Sequence, residues 1–185
     1  MSVARDAECD LDTSIVRVGS MRRRHLPGVL RIERQVYPRP WTIGLYLGEL
    51  ALPATRTYFV AKIGPKVVGY GGLMLSLDEG HITTLAVDPT FWGHGIARRV
   101  LLQLARRAVA TGARSLTLEV RVTNAAAQHL YRKFGFAPAG IRKNYYAEIN
   151  EDALVMWVHD IDHAPFGQRL AEIEANLPTP TMLEV

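Results

Sequence analysis

The stretch Val87-Asp88-Pro89-Thr90-Phe91-Trp92-Gly93-His94-Gly95-Ile96-Ala97 constrains this 185-residue chain more than any other. An apolar run over residues 81–87 ends at Asp88-Pro89, and two glycines then open a long amphipathic segment. Glycines, lacking Cβ atoms, let the backbone fold closely around a ligand. The unpaired N–H groups of the helix that follows point at whatever lies there, and the partial positive charge of that helix end favours an anion. A pyrophosphate suits such a turn. The Gly-Lys-Ser/Thr ending of a Walker loop is missing. So is the third glycine that the first strand–helix unit of a dinucleotide-binding fold would carry, and strand-like runs precede the loop.

Periodicity around the loop predicts the rest of the architecture. A strand over 15–18 leads to a helix over 25–35, where spacings of three and four place Leu26, Val29, Leu30 and Ile32, with Glu33, on one stripe. Tyr37-Pro38-Arg39-Pro40-Trp41 breaks that helix, because each proline disfavours helix in the residue before it. A second helix follows over 43–50. Strands over 58–62, 67–75 and 81–87 form a meander with turns at Gly64-Pro65 and Asp78-Glu79-Gly80.

The helix over 96–111 sets Val100, Leu101, Leu104, Ala105 and Ala108 on one face and Arg98, Arg99, Gln103, Arg106 and Arg107 on the other, with Gly112 closing it. A strand over 115–120, a helix from its cap Asn124 to 133, and a hairpin over 136–145 and 153–159 complete the pattern. The order β-α-α-β-β-β-α-β-α-β-β predicts an α/β fold, a mixed sheet with helices on both faces. Residues 1–13 read as a flexible tail, 14–160 as the domain, and 161–185 as an extension with a short helix over 166–175 and a disordered end after Pro178-Thr179-Pro180.

Composition narrows the function classes. The one cysteine, Cys9, excludes an intramolecular disulfide and a zinc site of several thiolates. His81, His94 and the other histidines show no metal-ligand spacing, so no metal is expected and a structural or solvated role is assigned to each. No apolar run is long enough for a membrane span, and Asp6, Glu8, Asp10 and Asp12 stand where a signal peptide would be basic and then apolar, so a cytoplasmic protein without membrane contact is expected. A formal charge of +4 fits attraction to a phosphorylated ligand, and without a dense basic cluster no direct nucleic-acid binding is expected.

The loop resembles the acyl-coenzyme A motif of the GNAT superfamily of N-acetyltransferases, Gln/Arg-x-x-Gly-x-Gly/Ala, with Trp92 in the place of the Gln or Arg. Leu118-Glu119-Val120-Arg121, Asn124-Ala125-Ala126-Ala127, Leu130-Tyr131, Phe134-Gly135-Phe136 and Arg142-Lys143-Asn144-Tyr145-Tyr146 are similar to the RimI-type ribosomal-protein-alanine N-acetyltransferases. So are the Pro-Trp element at 37–41 and Glu151-Asp152-Ala153-Leu154, so that the resemblance spans about residues 14–159. It implies acetyl-CoA as donor and, as acceptor, the α-amine of a protein or peptide N-terminus, ribosomal proteins among the candidates, with direct transfer in a ternary complex.

A free α-amine has a pKa of about 7.7–8.0 and must lose a proton before it attacks. Alternation on the strand over 115–120 leaves Glu119 either a surface carboxylate or a general base; the resemblance makes it the base. Tyr131, alone a core tyrosine or an acid, becomes the acid that protonates the departing thiolate. Leu85, Ala86, Val87, Gly93, His94, Gly95, Ile96, Ala97, Asn124 and Tyr131 are then the acetyl-CoA contacts, with backbone N–H groups near Val87 facing the thioester oxygen if the central strands splay. Tyr37, Trp41, Tyr145 and Tyr146 are the acceptor contacts. The same fold serves lysine and small-amine acetyltransferases, whose acceptor sites call for acidic residues such as Glu148 and Glu151, and a non-catalytic acyl-CoA sensor.

Overall fold

The computed structural model describes residues 15–184; the expected tail over 1–13, Cys9 included, lies outside them. The strands are β1 (Val16–Ser20), β2 (Arg56–Ile63), β3 (Lys66–Ser76), β4 (Glu79–Val87), β5 (Ser115–Arg121), β6 (Ala137–Tyr146), β7 (Glu151–His159) and β8 (Thr181–Glu184). The helices are α1 (Leu26–Val36), α2 (Ile43–Leu50), α3 (Ile96–Ala110), α4 (Ala125–Lys133) and α5 (Ala164–Ala175). All eight strands form one mixed sheet in the order β6-β7-β5-β4-β3-β2-β1-β8. The β-α-α-β-β-β-α-β-α-β-β order holds through β7.

Alternation along the strands feeds two cores. On one face Val16, Val18, Ala61 and Leu118 pack with Val100, Leu101, Leu104 and Ala108 of α3 and with Phe166 and Leu170 of α5. On the other, Val60, Val67 and Tyr70 pack with Val29 and Ile32 of α1 and Tyr46 of α2. Each fully buried Leu or Ile contributes about 2 kcal/mol, which makes α3, with Leu101, Leu102 and Leu104 all at 0% exposure, the main anchor of its face.

Local chemistry sets the boundaries. Tyr37 is extended (ψ 134°) ahead of Pro38 and ends α1. Asn124 accepts a hydrogen bond from the Ala127 N–H at 3.1 Å and starts α4. The turn between β3 and β4 is tighter than expected: Ser76 pairs with Glu79, leaving Leu77 and Asp78 as a two-residue loop with Leu77 at φ 55°, so Glu79 and Gly80 belong to β4.

The feature that makes a site is the parting of the two central strands. β4 and β5 run parallel and pair only from Glu79↔Ser115 to His81↔Thr117. At that level β4 carries a bulge against β3, where Gly72 pairs with Thr84 and Leu73 with Ile82, so that Thr83 is an extra residue. A bulge bends its strand and sharpens the twist, turning the rest of β4 away from β5. Gly72 permits it, since a Cβ there would stand 2.3 Å from the Tyr58 ring and 2.6 Å from Thr83 Oγ1.

Two expectations fail, and for one reason. The polar face predicted for α3 is not free: Arg99 is 0% and Gln103 8% exposed. The end of the chain, expected to be disordered, is strand β8, which pairs in parallel with β1 from Val16↔Thr181 to Gly19↔Glu184. β1 offers an unpaired edge, α3 offers three arginines, and the extension takes both. Glu174 of α5 accepts two hydrogen bonds from Arg106 at 2.9 and 2.6 Å, and Lys62 pairs with Glu184 at 2.7 Å.

Candidate active site

Two cavities open where β4 and β5 part, and they share Val36, Leu85, Arg121, Asn124, Ala127 and Tyr131. One, of about 650 Å³, lies against the start of α3. Leu85, Ala86, Val87, Gly93, Gly95, Ile96, Ala97, Asn124 and Tyr131 line it, so of the expected donor contacts only His94 is absent. Its ring nitrogen Nδ1 stands 3.0 Å from the Trp92 carbonyl instead, and its ring packs edge-on to Phe91.

The loop has the shape a pyrophosphate requires. Gly93 and Gly95 sit at φ 82° and 73°, in the left-handed region that a Cβ disfavours. A Cβ on Gly93 would meet nothing within 4 Å, so that side is open. Gly95 is the N-cap of α3, and no side chain caps the helix, which leaves its first-turn N–H groups for a ligand. The loop is anchored at its start by Asp88, which accepts from the Thr90 N–H and hydroxyl at 3.1 and 2.7 Å and faces Arg31 at 3.1 Å. Burial pushes the Asp88 carboxyl up, but Thr90, Lys66 and Arg31 outweigh it and leave it lowered. Trp92, 63% exposed, donates from its indole N–H to the Val87 carbonyl at 3.0 Å. That contact ties loop to strand, a role a Gln or Arg motif does not announce.

The second cavity, of about 280 Å³, is lined by Tyr37, Trp41, Tyr145, Tyr146, Glu119 and Tyr131, which brings both expected catalytic residues together with all four expected acceptor contacts. Glu119 alternates with the buried Leu118 and Val120, yet its side chain is only 6% exposed. Its Oε2 stands 3.1 Å from His81 Nε2, and its Oε1 2.9 Å from Arg142 Nη1. The contact with His81 holds the carboxyl below the usual glutamate range; burial opposes this, and the charge on Arg142 adds to the lowering. Burial pushes the Tyr131 phenol above its ordinary value, so it keeps its proton at neutral pH. Tyr131 packs edge-on to Phe136 at 5.9 Å, which fixes the ring between the cavities.

The acceptor side is fixed by contacts the sequence did not disclose. Tyr37 donates to the Leu85 carbonyl at 3.1 Å and lies 3.2 Å from Thr84 Oγ1, spanning from the α1–α2 loop to β4. Glu33, 1% exposed, accepts from the Trp41 N–H at 3.0 Å, from Tyr46 at 2.6 Å and from Tyr70. It was assigned to the core stripe of α1; its carboxylate holds the acceptor loop. His81, assigned a structural or solvated role, is the partner of Glu119. The signal for it was its register, opposite Thr117 and so two residues from Glu119. Tyr145 and Tyr146 pack edge to face at 5.2 Å, and Arg142 lies over the Tyr145 ring at 5.7 Å. Glu151, expected near the acceptor, instead accepts from the Thr123 N–H at 3.0 Å. No cluster of three or more His, Cys, Asp or Glu is arranged around a metal position among the described residues.

A glycine loop at a helix start, beside a splayed parallel pair and a buried carboxylate, is an arrangement with known relatives. The profile of the acetyltransferase (GNAT) family matches residues 26–136. The chain belongs to that family. It is an N-acetyltransferase. It is 38% identical over 141 residues to a protein of Bacillus subtilis described as a putative ribosomal protein bS18-alanine N-acetyltransferase, covering 76% of this chain and 93% of that one. It is 35% identical over 154 residues to the N-alpha-acetyltransferase RimI of Mycobacterium tuberculosis, covering 78% and 93%. The crystal structure of the ribosomal-protein-S18-alanine N-acetyltransferase of Escherichia coli superposes with a TM-score of 0.71 at 30% identity, covering 78% of this chain and 94% of that one. No helix among the described residues is long and apolar enough to cross a membrane.

Proposed function

We propose that this GNAT acetyltransferase moves the acetyl group of acetyl-CoA to the α-amine of a protein N-terminus, a ribosomal protein being the acceptor its relatives suggest. The observation that carries this is the cleft itself: a donor cavity floored by main chain meets, at Tyr131, an acceptor cavity walled by four aromatic residues and ending on Glu119. Acetyl-CoA brings the acetyl group as an activated thioester, held by the amides of residues 93–97, with Asn124 and Leu85 along its arm.

Each residue then has a task. An α-ammonium and an ordinary glutamate differ by about 3.5 pKa units, so leaving the amine's proton on Glu119 would cost about 5 kcal/mol. The lowered Glu119 makes that harder still. Its task is therefore to draw the ammonium in place of Arg142 and to pass the proton on through His81 toward solvent, rather than to store it. Tyr131 holds a proton beside the point where sulfur departs. On β4, Leu85 turns its carbonyl toward Tyr37; the N–H of the same residue points to the same side of the strand and faces the cleft, placed to stabilise developing oxyanion charge. Tyr145 and Tyr146 present hydroxyls and faces to a peptide backbone.

A small polycationic amine is the weaker reading, because the carboxylates of the acceptor cavity are already engaged. Glu33 is held by Trp41 and Tyr46, Glu148 by Arg39 at 2.9 Å, and Glu119 by His81 and Arg142. The test is thiol release from acetyl-CoA with two peptides of matched composition. One has a free N-terminal alanine and no lysine; the other has a blocked N-terminus and one internal lysine. Turnover with the first alone is expected. Turnover with the second alone would replace the α-amine reading with lysine acetylation, and CoA binding without turnover on any amine would favour a sensor.

A further inference from the structure

Among the described residues Arg99 is the largest fully buried side chain, and none of its contacts with them is with a carboxylate. Its Nη1 donates to the His94 carbonyl at 2.8 Å, and its Nη2 to the Thr179 carbonyl and hydroxyl at 2.6 and 2.7 Å. Its Nε has no hydrogen-bond partner among the described residues. Keeping a guanidinium dry on neutral acceptors is expensive, and an apolar side chain of similar volume would fill the same space at less cost. Packing alone does not account for it.

Its geometry does. Every peptide bond among the described residues is trans, so the C=O of His94 and the N–H of Gly95 point in opposite directions. Drawing the His94 carbonyl inward onto Arg99 therefore turns the Gly95 N–H outward, toward the cavity that Gly93 and Gly95 line. The other end of the guanidinium is held by the extension, which Arg98 also grips through the Asn176 carbonyl at 3.0 Å and which β8 fastens to the sheet. Pro178 backs the same glycine: a Cβ on Gly95 would stand 3.0 Å from Arg99 Nη1 and 3.4 Å from Pro178. The matched solved structure from Escherichia coli is covered over 94% of its length by only 78% of this chain, so this chain has length to spare for such an addition.

We propose that the C-terminal extension is a brace for the donor loop, with Arg99 as the positioning residue that transmits it: Thr179 orients Arg99, and Arg99 orients the His94–Gly95 peptide for a coenzyme A pyrophosphate. This rests on the reading of the loop as the acetyl-CoA site. The experiment compares full-length parent protein with Arg99→Met, which fills the volume, and Arg99→Lys, whose single ammonium reaches one acceptor but cannot span both.

In Arg99→Met, KM for acetyl-CoA and Kd for CoA by calorimetry are expected to rise about tenfold, the loss of one amide aimed at a charged group. kcat and KM for the acceptor peptide stay within twofold, and Arg99→Lys falls between. Without CoA, backbone ¹⁵N order parameters of residues 93–96 drop in Arg99→Met. Unchanged order parameters with unchanged KM would overturn the brace, as would a fall in kcat alone. If Arg99→Met does not fold, Arg99→Lys and Thr179→Val are judged by the same numbers. The site reading is checked separately in the parent: CoA that binds without moving the amide signals of residues 93–97 would remove the loop from the donor site and leave the order-parameter result standing on its own.

Discussion

At the α3 end of the cleft the surface is main chain, shaped by Gly93 and Gly95 and held from behind by a buried guanidinium. At the other end it is side chain: Tyr37 and Trp41 stand on the α1–α2 loop and Tyr145 and Tyr146 at the end of β6, and one exposed ion pair, Arg39 with Glu148, joins the two segments. Under the proposed function the difference follows from what each end binds. A pyrophosphate is the same in every turnover, so fixed amides serve it with nothing to rearrange. A peptide N-terminus varies, and aromatic side chains with polar tips meet it with large area and little entropy to lose. Between the two ends lies the pair proposed to react, Glu119 and Tyr131, both shielded from solvent, where position matters most.

The largest effects are expected at that junction. Glu119→Gln should lower kcat by about 10²–10³-fold and leave the Kd for CoA unchanged, because the carboxylate faces the acceptor cavity only. Loss of CoA binding in this variant would show that the two ends are not separate. Stability supplies a second readout. The Glu119 carboxyl is held low in the folded protein, so its contribution is fully present above the ordinary glutamate value and fades as pH falls through the lowered one. The Tm difference between parent and variant should be fully open above the ordinary glutamate range and close as pH falls through the lowered value. Tyr131→Phe should cost kcat about ten- to a hundredfold with no loss of stability, since burial and nearby charge, not a hydrogen bond, account for its raised phenol.

Gly95→Val comes next and probes the donor end alone. A β-branched residue at φ 73° costs about 1–2 kcal/mol, and its Cβ would press on Arg99. KM for acetyl-CoA should rise about tenfold while KM for the peptide holds, checked by initial rates with each substrate varied in turn. A matching rise in peptide KM would mean that the acceptor end is shaped through the donor loop.

The same contrast decided what could be read in the sequence. The donor end was legible because glycines and a helix start make a local pattern, and nine of its ten expected contacts line one cavity. Glu119, Tyr131 and the four aromatic residues were reachable through resemblance, and the structure brings them together in one cavity, although alternation alone left Glu119 undecided. His81 and Glu33 were missed because their partners come from other elements: Glu119 on β5 through parallel pairing, and Tyr70 from the far side of a core. Arg99 was assigned to the solvent face of α3 by a rule that is sound for a helix with one partner. The second partner, α5 with β8, is specified by separate ion pairs and one open strand edge, which no period in α3 records.

The smallest effect tests the loosest part of the comparison. Arg39 joins the α1–α2 loop to the β6–β7 loop through Glu148 at 2.9 Å, with side chains 82% and 43% exposed. Water and salt screen a pair in that position, and holding two mobile side chains offsets much of what attraction remains. Arg39→Ala should therefore change the peptide KM by less than about threefold and leave kcat and the acetyl-CoA KM alone. Parent protein assayed at about 0.5 M salt should lose as much, and the variant should lose nothing further. A tenfold rise in peptide KM that salt does not reproduce would mean that Arg39 touches the peptide itself. The acceptor end would then be as firmly organised as the donor end, by a charge in place of a backbone.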